Sequence, residues 1–459
     1  AVELFAHVSS FYRNQRQLLQ TPGPLGEHAA PDLAAAQRLI DEALLSGREI
    51  LTAAESKALL RAFHIPVLEV RAARSEEEAV AAAQSLGLPV VMKIDSPDIT
   101  HKTDVGGVRL NLRDVPAVRQ AYNEIIESAK RLQPSATITG VTLEPMVERR
   151  NGRELLVGVL CDPVFGPAIT FGSGGVAVEV HADRAVGLPP LNAFLIEEMV
   201  KSTRVSRMLG AFRGMPPADM QALEQVLLRV SEMVCELPWI REMDINPLIV
   251  DESGAIALDA RFVVYERAAA ARAYEHMAIH PYPVHLAAEW TAPGGSKVMI
   301  RPIRPEDADI EREFVRALSP DARYLRFMSP VRELSPAMLA RFTQIDYDRE
   351  MALIATVNER GAERQIAVGR YVIEPDGESC EFAIVVAEHW QGRGLGGHLM
   401  RQLIAIARAR GLKSMTGQVL AANTGMLRLA RALGFTTADT AGAQGTKDIE
   451  LALTQPLPG

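Results

Sequence analysis

Cysteine is scarce: the 459-residue chain holds three, Cys161, Cys235 and Cys380, far apart and without C-x-x-C spacing. That excludes a disulfide-stapled scaffold and a thiolate zinc site, and it suits a reducing compartment, so a cytoplasmic protein is expected. Long apolar runs are also lacking. None approaches the roughly 20 residues that span a bilayer, and the first residues show no basic stretch followed by an apolar one, so no membrane segment or secretory leader is expected. Basic residues are outnumbered, 49 Lys and Arg against 57 Asp and Glu for a net charge of -8. Sequence-independent binding to nucleic acid needs a net basic face, so that class of partner is not expected. The 33 Gly and 28 Pro are scattered rather than clustered, which excludes a low-complexity chain. What remains is 48% hydrophobic and 23% charged, enough to bury real cores, and the length predicts two to four domains.

Residues 1–20 carry apolar positions at loosely helical spacing, broken by Thr21-Pro-Gly-Pro24. The chain starts at Ala1, and this stretch reads like the end of a preceding domain, so a longer parent chain is expected. A second helix is expected over Asp32–Leu45, and Thr52 with Glu55 gives a capping box for a third over Ala53–Phe63. Strands and helices then alternate: strands at Val67–Val70, Pro89–Ile94, Gly107–Leu112, Thr139–Pro145, Glu154–Cys161 and Ala168–Phe171, with two last strands near Asp244–Val250 and Ile256–Asp259. Residues 50–265 therefore read as one mixed α/β domain, and 1–49 as an end piece plus linker. Turn formers concentrate in Trp290–Ser296, so 266–297 reads as a linker. Residues 298–455 restart with a strand at Val298–Ile303, two helices, three strand patterns, a helix at Gly394–Arg410 and a closing strand–helix–strand.

The sharpest signal is E-H-W-Q-G-R-G-L-G-G-H-L-M, Glu388 to Met400. An apolar strand runs through a glycine-rich turn into an amphipathic helix. Such a turn exposes backbone N–H groups and the positive end of the helix dipole, which together hold phosphate. An ordinary strand-to-helix connection would also be glycine-rich, but strand, loop and helix stand in the order phosphate binding requires. The stretch 298–455 resembles the GNAT N-acetyltransferases, whose acetyl-CoA motif Q/R-x-x-G-x-G/A is filled by Gln391, Gly394 and Gly396, and it continues in N-x-x-M-L-R-L-A-R-A-L-G-F, Asn423 to Phe435. The resemblance implies acetyl-CoA between splayed fourth and fifth strands, its pyrophosphate on Gln391, Gly392, Arg393, Gly394, Leu395 and Gly396. A lysine amine with pKa near 10.4 must lose a proton before it can attack a thioester. Glu381, on the fourth strand, is the expected base; a structural ion pair is its alternative. A backbone N–H of that strand would hold the oxyanion. The tyrosine with which many relatives protonate the departing thiolate is replaced here by Ala430. Asn423 is a candidate for hydrogen bonding CoA or for capping the following helix. His389 and His398 read as surface histidines.

In V-V-M-K-I-D-S-P-D-I-T-H-K-T-D-V-G-G-V, Val90 to Val108, a strand presents Lys93 and then a glycine loop with His101 and Lys102. Over 50–265 the sequence resembles the ATP-grasp domain of the NDP-forming acyl-CoA synthetases, through Leu143–Val147, Arg153–Val159, Phe171–Gly175 and Glu242–Leu248. The resemblance implies ATP held by Lys93, Glu144, Gly174 and Gly175, and Mg²⁺ on Asn246 and Asp259, with Asp244 facing a phosphohistidine segment. His101 matches a phosphoryl-carrying histidine, or it is a loop histidine bonded to backbone. The combined layout, an ATP-grasp domain followed by a GNAT domain, resembles the Pat-type bacterial protein lysine acetyltransferases. That implies acetyl-CoA as co-substrate, an AMP-forming acyl-CoA synthetase as acceptor protein, and a regulatory synthetase-like region. Two alternatives stay open: an ATP-grasp part of an ADP-forming acetate–CoA synthetase with an accessory GNAT domain, and a non-catalytic nucleotide sensor that gates the transferase. The arginines from Arg301 to Arg341 are interleaved with acids and read as a solvated helical face. An oligomer is compatible with all of this.

Overall fold

The computed structural model describes residues 29–99, 102–147, 149–175, 183–211, 214–267, 274–359, 361–440 and 445–454. The helix read over 1–20 and His101 lie outside the described residues. The described residues divide into two units, one ending at Ile279 and one beginning at His280. Among the described residues no helix is long and apolar enough to cross a membrane.

The first unit opens with α1 (Leu33–Leu45) and α2 (Ala53–Ala62). Asp32 Oδ1 accepts from Ala35 N, and Thr52 and Glu55 exchange hydrogen bonds as a capping box, so first-turn N–H groups that lack helical partners are satisfied. A small lobe follows: β1 (Arg71–Ala73), α3 (Glu76–Leu86), β2 (Val90–Asp95), β3 (Val108–Leu112), α4 (Val115–Leu132) and β4 (Gly140–Pro145). Its strands form an antiparallel sheet in the order β1-β4-β2-β3. Val90, Met92, Ile94, Val141 and Leu143 bury one face beneath α3 and α4. Strand alternation turns Val91, Lys93, Thr142 and Glu144 to the opposite face, with Val91 across from Glu144 and Lys93 across from Thr142.

The large lobe comprises β5 (Arg153–Asp162), β6 (Gly166–Ser173), β7 (Arg184–Gly187), α5 (Ala193–Lys201), α6 (Ser206–Leu209), α7 (Met220–Glu236), β8 (Ile240–Asp251), β9 (Gly254–Ala257) and β10 (Ala260–Val264). The sheet order is β10-β8-β5-β6-β7, with β9 paired to β8. Leu155, Val157, Ile169, Phe171, Met243 and Ile245 bury one face in the core shared with α1, α2, α5 and α7. The strand expected at Val67–Val70 does not form. Val67 makes a single bridge to Ala257 in the large lobe, and pairing with β4 begins only at Arg71. Strands β7 and β10 were not legible in the sequence.

The second unit holds β11 (Ala288–Thr291), β12 (Lys297–Pro302), α8 (Ala308–Ala317), α9 (Pro320–Phe327), α10 (Pro336–Thr343), β13 (Glu350–Glu359), β14 (Ala362–Ile373), β15 (Ser379–Val386), α11 (Leu395–Ala409), β16 (Ser414–Leu420), α12 (Thr424–Ala432), β17 (Thr436–Asp439) and β18 (Thr446–Ala452). They form one sheet in the order β11-β12-β13-β14-β15-β16-β18-β17. Residues 288–291 of the stretch read as a linker thus pair with β12. Three helices, not two, separate β12 from β13; α9 and α10 have eight residues each, too short for a clear helical period. All pairings are antiparallel except β15 with β16, which run parallel and touch only from Ser379–Glu381 to Ser414–Thr416. Beyond Glu381 the two strands part.

Candidate functional site

The opening between β15 and β16 is held by Phe382. Its ring packs over Gly417, where an added Cβ would stand 2.8 Å from a ring carbon, and it meets Phe435 with centroids 5.3 Å apart. Glycine at 417 leaves room for the ring, and the ring blocks further pairing of the strands. The main-chain groups on that edge of Phe382–Val386 are therefore not taken up by β16.

A cleft of about 710 Å³ lies at this opening, between α9, β15, the Gln391–Gly397 turn and the start of α12. Gly392 (φ 72°) and Gly394 (φ 87°) adopt left-handed conformations that a Cβ would strain. Gln391 Nε2 donates to Val386 O at 2.9 Å and ties the turn to β15. Most helices here begin with a side-chain cap, such as Asp32, Thr52, Ser75, Asp114, Asn192 and Ser319. By contrast α11 begins at Gly394 with none. Its first N–H groups and its dipole are left for an anion, and the glycines let a pyrophosphate approach.

Of the residues singled out in the sequence, Gln391, Gly392, Gly394, Gly396 and Asn423 line this cleft. Leu395 is buried and anchors the helix start, while the Arg393 guanidinium lies 5.0 Å above the Trp390 ring. Asn423 caps α12, its Oδ1 accepting from Met426 N at 3.1 Å. Glu381 is exposed at the last paired position of β15, the vertex of the splay. Ala430 is buried, so no side chain at that position reaches a leaving group.

Two readings need correction. His398 is not a free surface histidine: it stacks on Trp290, ring centroids 5.4 Å apart, and burial lowers its pKa below the ordinary 6.5. The arginine run is not a uniformly solvated face. Arg301 is buried and makes two 2.7 Å bonds to Asp307, and Arg326 lines the cleft. Burial and neighbouring Arg370 bring Arg326 down to about 10, against the opposing pull of Glu311 and Glu381. Arg326 and Arg428 of the cleft were not anticipated; a helical wheel shows such arginines as solvent-facing, and only the tertiary packing of α9 and α12 turns them toward the opening.

In the first unit, Lys93 and Glu144 meet on the face of the small sheet opposite α3 and α4, Nζ to Oε2 at 3.2 Å. The second Glu144 oxygen lies 2.8 Å from Lys57 Nζ, a residue of α2 that sequence reasoning missed. On the large lobe Asn246 and Asp259 are neighbours, with Asn246 N donating to Asp259 O at 3.2 Å. Gly175 N donates to Asn246 Oδ1 at 2.9 Å, and Gly174 lies so close to Leu155 that a Cβ would stand 2.4 Å from its carbonyl oxygen. Gly158 leaves Asp244 open on the same sheet face, and burial raises the Asp244 pKa. Asn246 and Asp259 offer two oxygen donors, a set that fits Mg²⁺ arriving with phosphate oxygens and water. Among the described residues no group of three or more His, Cys, Asp or Glu could hold a metal ion by itself. Bound there, Mg²⁺ would neutralise phosphate charge.

Comparison with known proteins matches residues 42–264 to an ATP-grasp domain family and residues 315–435 to the acetyltransferase (GNAT) family. The chain is 39% identical over 232 residues to the ADP-forming acetate–CoA ligase I subunit beta of Pyrococcus furiosus, covering 50% of this chain and 99% of that one. It is 41% identical over 231 residues to the ADP-forming acetate–CoA ligase I of Archaeoglobus fulgidus but spans only 33% of that longer chain. An acetyltransferase of Pseudomonas aeruginosa is 43% identical over 141 residues, 31% of this chain and 76% of that one. Among solved structures, acetyl-coenzyme A synthetase 1 of Ca. Korarchaeum cryptofilum, in complex with coenzyme A and Ca-AMPCP, is 41% identical over 50% of this chain and 100% of its own, with a TM-score of 0.49. The chain thus belongs, through its first unit, to the ATP-grasp family of the ADP-forming acetate–CoA ligase beta subunits and, through its second, to the GNAT acetyltransferases.

Proposed function

We propose that this chain is an acetyl-CoA-dependent protein lysine N-acetyltransferase of the cytoplasm, acting on an AMP-forming acyl-CoA synthetase, with the ATP-grasp region as a regulatory nucleotide-binding domain. The observation that carries the reading is the cleft beside the β15–β16 splay, lined by an uncapped, glycine-led helix start and by Ile384–Val386 of β15, the strand whose last residue paired with β16 is Glu381. Acetyl-CoA lies with its pyrophosphate on Gln391–Gly396 and its pantetheine along the open edge of β15. Glu381 takes a proton from the acceptor ammonium, directly or through a water, and the neutral amine attacks the thioester carbonyl carbon. A free backbone N–H of β15 holds the oxyanion, the attacking nitrogen gives up its second proton to solvent as the C–S bond breaks, and with Ala430 in place of a tyrosine the thiolate leaves as such or takes a proton from water.

The test is to incubate the purified chain with acetyl-CoA and an AMP-forming acetyl-CoA synthetase, without ATP, and to map acetyl-lysine by mass spectrometry. Chain-dependent acetylation at one lysine is expected. Acetylation no higher than the chemical background, with acetyl-CoA bound normally, would refute the proposed acceptor.

A second reading has its own support: the near-complete match to a ligase beta subunit, and the lysine, glycine and Asn246–Asp259 arrangement between the lobes. It makes the first unit the ATP-grasp part of an ADP-forming acetate–CoA synthetase. ATP-dependent phosphorylation of His101, or acyl-CoA formation on adding a CoA-ligase partner, would favour it.

A further inference from the structure

Lys57 is 1% exposed and its ammonium has a carboxylate 2.8 Å away, yet it makes no hydrogen bond of good geometry among the described residues. It belongs to α2, which packs against β10 of the large lobe, whereas Glu144 and Lys93 stand on β4 and β2 of the small lobe. The Glu144 carboxylate, 3% exposed, is thus shared by one lysine from each lobe. Thr142, across from Lys93 on the same face, is also buried, and its hydroxyl too makes no hydrogen bond among the described residues. Burial lowers the Lys57 pKa; Glu144 raises it and the neighbouring Lys93 lowers it.

Two ammoniums on one carboxylate leave an excess of positive charge in a place closed to water. A nucleoside triphosphate entering between the lobes can use that charge only if one lysine turns from Glu144 to a phosphate oxygen. Lys93 is the more exposed of the two, 14% against 2% for the side chains, and is the one free to turn. Without a second cation, that movement would leave Glu144 buried and unpaired, which is costly.

We propose that Lys57 is a positioning residue of a nucleoside triphosphate site between the lobes: it holds Glu144, so that Lys93 can be released to a phosphate oxygen. The inference rests on the nucleotide-binding reading of the first unit. It separates the roles of two lysines that otherwise look equivalent: Lys93 touches the phosphate, and Lys57 keeps the carboxylate neutralised.

The experiment is calorimetric titration of the full chain with MgATP, and with adenosine as a phosphate-free probe. Lys57→Met is expected to weaken MgATP binding roughly ten- to a hundredfold, because Lys93 becomes the only partner of Glu144, while adenosine binding stays the same. Lys57→Arg, which keeps the charge, is expected to retain most of the affinity. The double variant Lys57→Met/Glu144→Gln removes both charges together and is expected to regain it, since Lys93 is no longer held. That variant carries the test even where Lys57→Met does not fold, because it leaves no buried carboxylate unpaired and only Lys93, the more exposed lysine, without its partner. Should Lys57→Met bind MgATP like the wild type while Lys93→Met does not, or should the double variant bind as poorly as Lys93→Met, the proposal is overturned. Failure of the wild type itself to bind MgATP would overturn the nucleotide reading and this proposal with it.

Discussion

Replacing Gly394 with alanine isolates what the glycine turn contributes. Gly394 sits at φ 87°, and a Cβ built there meets nothing within 4 Å, so the substitution adds backbone strain without a clash. A left-handed alanine costs about 1–2 kcal/mol. Because the turn is exposed, it can shed that strain by leaving the left-handed conformation, and acetyl-CoA must then draw it back. The fraction of competent turns falls accordingly, and the apparent Kd rises roughly 5- to 30-fold. Gly411 supplies the control: it lies at φ 78° just beyond α11, also with open space around it, and it does not line the cleft. Gly411→Ala should lose comparable stability in urea unfolding, on the order of 1 kcal/mol, and leave acetyl-CoA binding intact. Isothermal titration with acetyl-CoA reads the difference. Equal affinity loss in both variants, or none in Gly394→Ala, would show that the turn does not hold the pyrophosphate.

Phe382→Ala should cost about 3–5 kcal/mol, since its ring fills the space over Gly417 and against Phe435, and urea unfolding measures this; a loss under about 1 kcal/mol would mean the splay does not depend on it. Arg301→Ala leaves Asp307 buried without its bidentate partner and should destabilise the chain by about 3–5 kcal/mol in the same assay. Glu311 is buried with its pKa raised by desolvation above the ordinary 4.5, so the native state holds this proton more tightly than the unfolded chain does. Its stabilising contribution is full below the unfolded pKa and is lost as pH rises through the higher folded value. Glu311→Gln should therefore gain stability relative to wild type as pH rises above about 4.5, read as the difference between two urea midpoint curves; a difference flat with pH would refute it.

The acetyl-CoA motif was readable because its chemistry is local: Gln391, Gly394 and Gly396 act through one turn and one helix start, and the strand that precedes them has a clear apolar pattern. Lys93, Glu144, Asn246 and Asp259 were reached through resemblance, and the structure places them in two adjoining pairs. Lys57 stayed hidden because a lysine on a helix with mixed polar positions reads as solvent-facing. Only the fold shows that it is enclosed between lobes. Phe382 over Gly417 is another long-range fact: neither residue carries a motif, and their meeting depends on β15 and β16 parting. The strand displaced from Val67–Val70 to Arg71–Ala73 shows the same limit. Apolar residues there were read as a strand, but the large lobe claims Val67 first.

The account rests on Glu381 as the base at the vertex of the splay. The most direct measurement is Glu381→Gln, assayed for turnover on the acceptor protein and for acetyl-CoA affinity by titration. Loss of a general base is expected to lower kcat by about 10²- to 10⁴-fold, with acetyl-CoA Kd within about twofold of wild type, because the carboxylate meets the amine and not the coenzyme. Wild-type turnover in Glu381→Gln would contradict the account.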